Sequence, residues 1–148
     1  MLEKEPIQYR GFHNIKDADG NVIGFEFRMR LRYYRGLWLS QMRVGRVIVD
    51  DEVFLADSGK VTWIIQGKEF TPAEMAEANE AFWPMTEPAI IRVKKPGGLK
   101  QGWHDIGVRW GFSSSYMPPS MEYFHDDVEE RSPFGGGSNT TKRRMLIV

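Results

Sequence analysis

His104-Asp105-Ile106-Gly107-Val108-Arg109-Trp110-Gly111-Phe112-Ser113-Ser114-Ser115-Tyr116 is the longest alternating run in the chain. His104, Ile106, Val108, Trp110, Phe112, Ser114 and Tyr116 fall on one side of an extended backbone, and Asp105, Gly107, Arg109, Gly111, Ser113 and Ser115 on the other. Side chains alternate across a strand with period two, so the run predicts a long strand whose mostly apolar side faces a core. Such a strand belongs centrally in a sheet system.

The residues around it repeat the theme. Phe25, Phe27, Met29 and Leu31 alternate with Glu26, Arg28, Arg30 and Arg32, which predicts a half-buried strand over residues 22–32. Asp19-Gly20 before it tolerates the positive φ of a tight turn, so residues 11–16 form the first arm of an antiparallel hairpin. Residues 46–49, 61–65 and 68–70 read as further short strands, the last two flanking a Gln66-Gly67 turn. Thr71-Pro72-Ala73-Glu74 supplies an N-cap hydroxyl, a proline at the first helical position and a glutamate at the third, which starts one short helix over residues 72–79.

Residues 89–93 predict a strand stopped by Lys94-Lys95-Pro96-Gly97-Gly98, where proline removes a ladder donor and the glycines permit reversal. Residues 118–141 carry Pro118-Pro119, an acidic stretch and Gly135-Gly136-Gly137-Ser138, too long for an ordinary connection and therefore a functional or mobile loop. The apolar tail, residues 145–148, is suited to a last strand, here or on a partner. Strands without βαβ alternation or internal repeats predict an all-β, antiparallel β-sandwich or jelly-roll-like barrel, in a single domain over residues 1–148.

The 148 residues carry 20 basic and 20 acidic side chains, so no global field draws nucleic acid or an anionic membrane. The chain contains 0 cysteines, which removes disulfides, thiol nucleophiles and thiolate metal sites. No apolar stretch has the length of a signal or spanning segment, so the expected location is cytoplasmic.

Candidate chemistry is sparse. His13 and His104 lie on predicted strands, where a histidine satisfied at a strand edge is the ordinary reading. His125, Asp126 and Asp127 with Glu122, Glu129 and Glu130 are the densest set of oxygen and nitrogen ligands, but they lack the spacing and glycine of a calcium loop and read as a solvated or partner-facing acidic surface. Ser113-Ser114-Ser115 has no glycine frame for a nucleophile elbow, and Lys95-Pro96-Gly97-Gly98 lacks the lysine placement and helix of a phosphate loop. Glu26, Glu69, Glu87 and Asp105 are the candidates for a glycosidase pair, whose separation a sequence does not set. These residues assign no catalytic residue and no metal to this chain. Arg28, Arg30, Arg32, Arg35, Arg43 and Arg46, interleaved with Tyr33, Tyr34 and Trp38, favour a protein interface over nucleic acid, because arginine, tyrosine and tryptophan are enriched at buried contact centres.

Five segments carry a resemblance: residues 33–42 (Tyr-Tyr-Arg-Gly-Leu-Trp-Leu-Ser-Gln-Met), 70–76 (Phe-Thr-Pro-Ala-Glu-Met-Ala), 87–89 (Glu-Pro-Ala), 93–99 (Val-Lys-Lys-Pro-Gly-Gly-Leu) and 115–118 (Ser-Tyr-Met-Pro). In this order they resemble the β subunits of bacterial C-glycoside deglycosidases. The resemblance covers about residues 11–118 and the basic-apolar tail; the acidic, glycine-rich stretch after Pro118 departs from it. It implies a heteromeric lyase that cleaves the carbon-carbon glycosidic bond of 3-oxo-C-glycosides of flavonoids and related aromatics. The partner it implies is a larger α subunit, a TIM barrel similar to sugar isomerases, holding a divalent metal (manganese) and the catalytic groups. A ketone at sugar C3 acidifies the C2 hydrogen, so a base there can drive elimination of the aryl group.

This chain is then the companion subunit, without cofactor of its own. Its expected contacts with the partner are Tyr33, Tyr34, Arg35, Leu37, Trp38, Met42, Tyr116, Met117 and Pro118. The competing expectations are a stand-alone carbohydrate-binding β-sandwich using Trp38, Trp63, Trp83, Trp103 or Trp110 as a platform, and a self-sufficient glycosidase.

Overall fold

The computed structural model describes residues 5–31, 35–112 and 139–147. Among the described residues, eleven strands, one short α-helix and a 3₁₀ turn at Leu39–Gln41 follow, in the order β1 (His13–Lys16), β2 (Val22–Met29), β3 (Leu37–Trp38), β4 (Met42–Val49), β5 (Glu52–Phe54), β6 (Val61–Ile65), β7 (Lys68–Phe70), α1 (Pro72–Glu77), β8 (Phe82–Trp83), β9 (Ala89–Lys94), β10 (Gly102–Phe112) and β11 (Asn139–Ile147). Every strand pairing is antiparallel. A five-stranded sheet runs β1-β2-β9-β6-β7, a four-stranded sheet β11-β10-β4-β5, and β3 with β8 makes a separate ribbon. The result is the sandwich-like member of the two expected all-β architectures.

Alternation places the core. Phe25, Phe27 and Met29 on β2 and Ile91 and Val93 on β9 are buried, as are Val47 and Val49 on β4 and Ile106, Val108 and Trp110 on β10. Phe25 meets Phe54 edge to face across the two sheets, ring centres 6.1 Å apart. Each fully buried side chain of this size contributes about 1.5–3 kcal/mol of hydrophobic stabilisation. The buried set forms one cluster that also takes in Trp63 and Trp83.

Turn chemistry fixes the connections. Asp17 Oδ1 accepts from the backbone N–H of Asp19 and of Asn21, at 2.9 Å each, closing the first hairpin. Gln66 and Gly67 both take positive φ, 52° and 78°, the geometry whose twist matches a right-handed two-residue hairpin between β6 and β7. Thr71 and Glu74 form the reciprocal capping box, but α1 stops at Glu77 rather than residue 79.

Several boundaries differ from expectation; β1 starts at His13 rather than residue 11, and β2 ends at Met29 rather than residue 32. β4 begins at Met42, not residue 46, because its register with β10 shifts between Val108 and Trp110, and the shift leaves Gly45 and Arg46 opposite Arg109 alone. Such a bulge breaks the alternation that a sequence reading relies on. β10 starts at Gly102 rather than residue 104, and residues 113–116 of its expected span lie outside the described residues. β11 starts at Asn139, so the stretch expected as loop to residue 141 gives its last three residues to a strand. Met145 and Ile147 are buried, which confirms that the apolar tail completes a sheet of this chain. Among the described residues, no helix is long and apolar enough to cross a membrane.

Candidate functional site

The β3–β8 ribbon brings together two segments more than forty residues apart in sequence, pairing Leu37 with Trp83 and Trp38 with Phe82. Two residues per strand are enough to separate inside from outside, since successive side chains point oppositely. Leu37 and Trp83 are fully buried, whereas Trp38 is 47% exposed and Phe82 36% exposed. The two outward rings meet edge to face, 5.1 Å apart at an interplanar angle of 73°. Met85, just beyond β8, is also exposed.

Several contacts hold this pair in place. The backbone N–H of Leu39 donates to the Ala81 carbonyl at 2.9 Å, and that of Trp38 to Gln41 Oε1 at 3.1 Å. A Cβ at Gly36 would lie 2.4 Å from the Phe82 ring, so glycine there leaves room for the aromatic side chain. Beneath, Trp83 packs edge to face on Trp63 at 5.7 Å and its indole N–H donates to the Glu87 carbonyl at 2.8 Å. The ribbon is a small aromatic knuckle standing on a tryptophan pair.

Of the expected contact residues, Arg35 and Trp38 are exposed, while Leu37 and Met42 are buried. Leu37 and Met42 face the core because they occupy the inward positions of β3 and β4, so any part they play in docking runs through the ribbon they support. Tyr33, Tyr34, Tyr116, Met117 and Pro118 lie outside the described residues. Phe82 and Met85 were missed by sequence reasoning, since nothing local marks a two-residue strand. The arginine series does not form one patch: Arg28 is exposed on the five-stranded sheet, and Arg43 and Arg46 sit on β4 of the other. Trp63, Trp83 and Trp110 are buried, which leaves Trp38 and Trp103 as the exposed members of the supposed sugar platform.

The two histidines among the described residues, His13 and His104, are engaged structurally. His13 Nε2 lies 2.8 Å from Glu26 Oε1, and Arg92 contacts the other Glu26 oxygen at 3.0 Å. Glu69 accepts from the Thr62 hydroxyl at 2.8 Å and lies 3.9 Å from Arg92. Glu26 and Glu69 therefore share one arginine on an open sheet face. Asp105 lies 3.5 Å from Arg144, and Glu87 contributes its carbonyl to Trp83.

His104 ties three segments together, with Nδ1 2.8 Å from Asp50 Oδ2 and Nε2 2.6 Å from the Lys100 carbonyl. Asp50 Oδ1 accepts from the Asp105 backbone N–H at 3.0 Å. That backbone hydrogen bond first, and the His104 hydrogen bond second, hold the Asp50 carboxyl below its ordinary value of 3.8. A depressed carboxylate pKa stabilises the fold above the unfolded value and ceases to do so as pH falls through the folded one. Asp50→Asn, whose new side chain also tolerates the positive φ of 53° at this position, is therefore expected to melt below the parent at pH 7. Its deficit is expected to shrink as pH drops below 3.8; thermal melts from pH 7 to acid check this, and a constant deficit refutes it.

A shallow cavity of about 380 Å³ lies beside His104, between Asp51, Glu52, Lys95 and Lys100. A second, of about 440 Å³, lies on the outer side of β10 and β11 over Gly107. Among the described residues, no three histidine or carboxylate groups converge to hold a metal ion. His125, Asp126, Asp127, Glu122, Glu129 and Glu130 fall outside those residues.

Comparison with known proteins agrees with the resemblance. The family model for the C-glycoside deglycosidase beta subunit matches residues 2–116. The C-glycoside deglycosidase beta subunit of Eubacterium cellulosolvens is 42% identical over 149 aligned positions, spanning 99% of this chain and 100% of that protein. The stretch after Pro118 therefore falls within an aligned region of that relative, although the family model ends before it. A match of this extent on both measures shows that the chain belongs to the C-glycoside deglycosidase beta subunit family.

Proposed function

We propose that this chain is the non-catalytic subunit of a cytoplasmic, heteromeric C-glycoside deglycosidase, a lyase that releases the aromatic aglycone from 3-oxo-C-glycosides of flavonoids. The observation that carries this reading is the end-to-end match to a protein named as a beta subunit of that activity. A beta subunit works beside another chain, and the exposed Trp38–Phe82 knuckle is a surface suited to one. Aromatic side chains presented on a rigid base are the residue types that dominate binding energies at such contacts.

The described residues of this chain do not fit the divalent metal that the activity calls for. His13 and His104 are each held by a carboxylate, and no third ligand converges on either. The elimination needs a proton acceptor at sugar C2 and a proton donor at the departing aryl carbon. Both are assigned here to the α subunit, a TIM barrel in this reading, and this chain's part is to bind it and shape the aglycone side of its pocket.

Reconstitution tests the reading. The purified chain, the companion subunit and their mixture are each incubated with an oxidised C-glucoside, and free aglycone is measured by chromatography. Release is expected from the mixture, and from this chain alone none. Turnover by this chain alone, or full turnover by the companion without it, removes the assignment.

A further inference from the structure

His104 is set between two acceptors. Its Nδ1 lies 2.8 Å from Asp50 Oδ2 and its Nε2 2.6 Å from the Lys100 carbonyl, with the side chain only 11% exposed. A carbonyl oxygen has no hydrogen to give. Neither has the Asp50 carboxylate, held below its ordinary value of 3.8 by the Asp105 backbone N–H first and by His104 second. Both ring nitrogens must then donate, which only the doubly protonated imidazolium can do. The neutral ring keeps a single N–H, and its other nitrogen turns a lone pair on an oxygen at hydrogen-bonding distance. The retained hydrogen belongs on Nδ1, because a carboxylate accepts more strongly than a carbonyl. Loss of one proton therefore breaks the Lys100 contact and leaves the Asp50 one.

Charged groups surround the ring on every side. Asp50, Asp51 and Glu52 face it from the turn after β4, Lys95 and Lys100 from the connection between β9 and β10, Asp105 from β10 and Arg144 from β11. Lys95 pairs with Glu52 at 2.7 Å and Arg144 with Asp105 at 3.5 Å, which leaves Asp50 and Asp51 against Lys100. That acidic balance is what an imidazolium offsets. The Phe12 ring, meeting His104 edge to face at 6.5 Å, adds no charge. The Lys100 contact also joins the two sheets, since residues 95–101 carry the chain from β9 in the five-stranded sheet to β10 in the four-stranded one. On the first sheet, Lys95 and Gly97 donate to the Ile23 and Val22 carbonyls at 2.9 Å, and Leu99 exchanges two hydrogen bonds of 2.9 Å with the Asn14 side chain. On the second, the connection is held by the Lys95 ion pair with Glu52 and by His104. Gly102 just beyond takes a φ of 129°, a conformation that suits glycine as a pivot.

We propose that His104 is a pH-sensitive latch between the two sheets: with both nitrogens protonated it holds the Lys100 carbonyl, and as pH rises it gives up the Nε2 proton and releases residues 100–101. The tie is present on the acid side of the ring's titration and lost on the alkaline side. Asp50 runs the other way, since the contribution of a depressed carboxylate fades as pH falls. Release frees the stretch between the Asn14 clamp on Leu99 and the Gly102 pivot, at the rim of the cavity of about 380 Å³ that Leu99, Lys100 and His104 line. The strand ladders on either side do not depend on it, so the change is local.

Nuclear magnetic resonance of the full chain, with nitrogen-labelled histidine and carbonyl-labelled lysine, reads the latch without any substitution. Between about pH 5 and about pH 8, where histidine ordinarily changes charge, His104 Nε2 is expected to lose its hydrogen while Nδ1 keeps its own. The Lys100 carbonyl carbon is expected to shift with the same midpoint. The Leu99 amide is expected to exchange roughly tenfold faster above that midpoint than below it, after correction for base catalysis, as the loss of one charge-assisted hydrogen bond implies. His104→Gln has no titrating ring and is expected to leave the Lys100 signal indifferent to pH. A ring that holds one protonation state throughout the range, loss of the proton from Nδ1 instead, or a Lys100 signal or Leu99 exchange rate that ignores the ring each overturns the proposal. So does a Lys100 shift that persists in His104→Gln. If that variant does not fold, the titration of the unsubstituted chain decides alone.

Discussion

Trp83→Ala is expected to destabilise the chain by about 3–5 kcal/mol, the range for removing a fully buried large aromatic from a packed core. The residue has no exposed surface, packs edge to face against Trp63 at 5.7 Å, and fills the position opposite Leu37 in the ribbon. Its loss leaves a cavity between two sheets that cannot collapse freely, because the ladders on either side fix the backbones. It also leaves the Glu87 carbonyl without the indole N–H that reaches it at 2.8 Å.

For a chain of this size, each kcal/mol lowers the melting temperature by about 2–4 °C, so a fall on the order of 10 °C is expected. Trp83→Phe separates the two contributions: it keeps most of the ring and removes the donor, with an expected cost of about 1–3 kcal/mol. Calorimetric melts of the three proteins check the order. If Trp83→Ala melts within about 2 °C of the parent, a cost of at most about 1 kcal/mol, the tryptophan is not the anchor described.

The long alternations were legible because the core is a sandwich: Phe25, Phe27 and Met29 on β2, and Ile106, Val108 and Trp110 on β10, are buried as a period of two demands. The turns were legible because their φ requirements limit residue choice, as at Gln66-Gly67, and the helix start because Thr71 and Glu74 cap each other. What escaped depends on partners distant in sequence. β3 and β8 are too short to show a period, and each exists because the other lies beside it, so the inward Leu37 and the outward Trp38 looked alike in a run of large apolar residues. The bulge at Gly45 and Arg46 hid the first half of β4. The outer face of β10 read as polar, yet Gly107 and Arg109 are buried, and alternation along one strand carries no information about what covers its second side.

Trp38→Ala together with Phe82→Ala is expected to abolish co-purification with the companion subunit while leaving the chain folded. Anchoring aromatics at protein contacts cost about 2 kcal/mol or more each when truncated. Allowing for non-additivity, a combined loss of about 3 kcal/mol is more than a hundredfold in affinity. The effect on folding is smaller, because both rings are already partly in water and the chain forfeits chiefly their mutual edge-to-face contact, about 0.5–1.5 kcal/mol. This corresponds to a melting shift of a few degrees.

The contrast with Trp83→Ala is the discriminating feature. Both changes are expected to disrupt assembly, one by removing the contacting surface from an intact fold and the other by removing the support beneath it. Trp38→Phe with Phe82 retained keeps a ring at each position and is expected to recover most of the binding. Pull-down of the companion subunit and a melt on the same preparation decide the matter: undiminished binding by the folded double variant means that the knuckle faces solvent in the assembled enzyme. A melt that falls as far as that of Trp83→Ala means that its rings are part of the core.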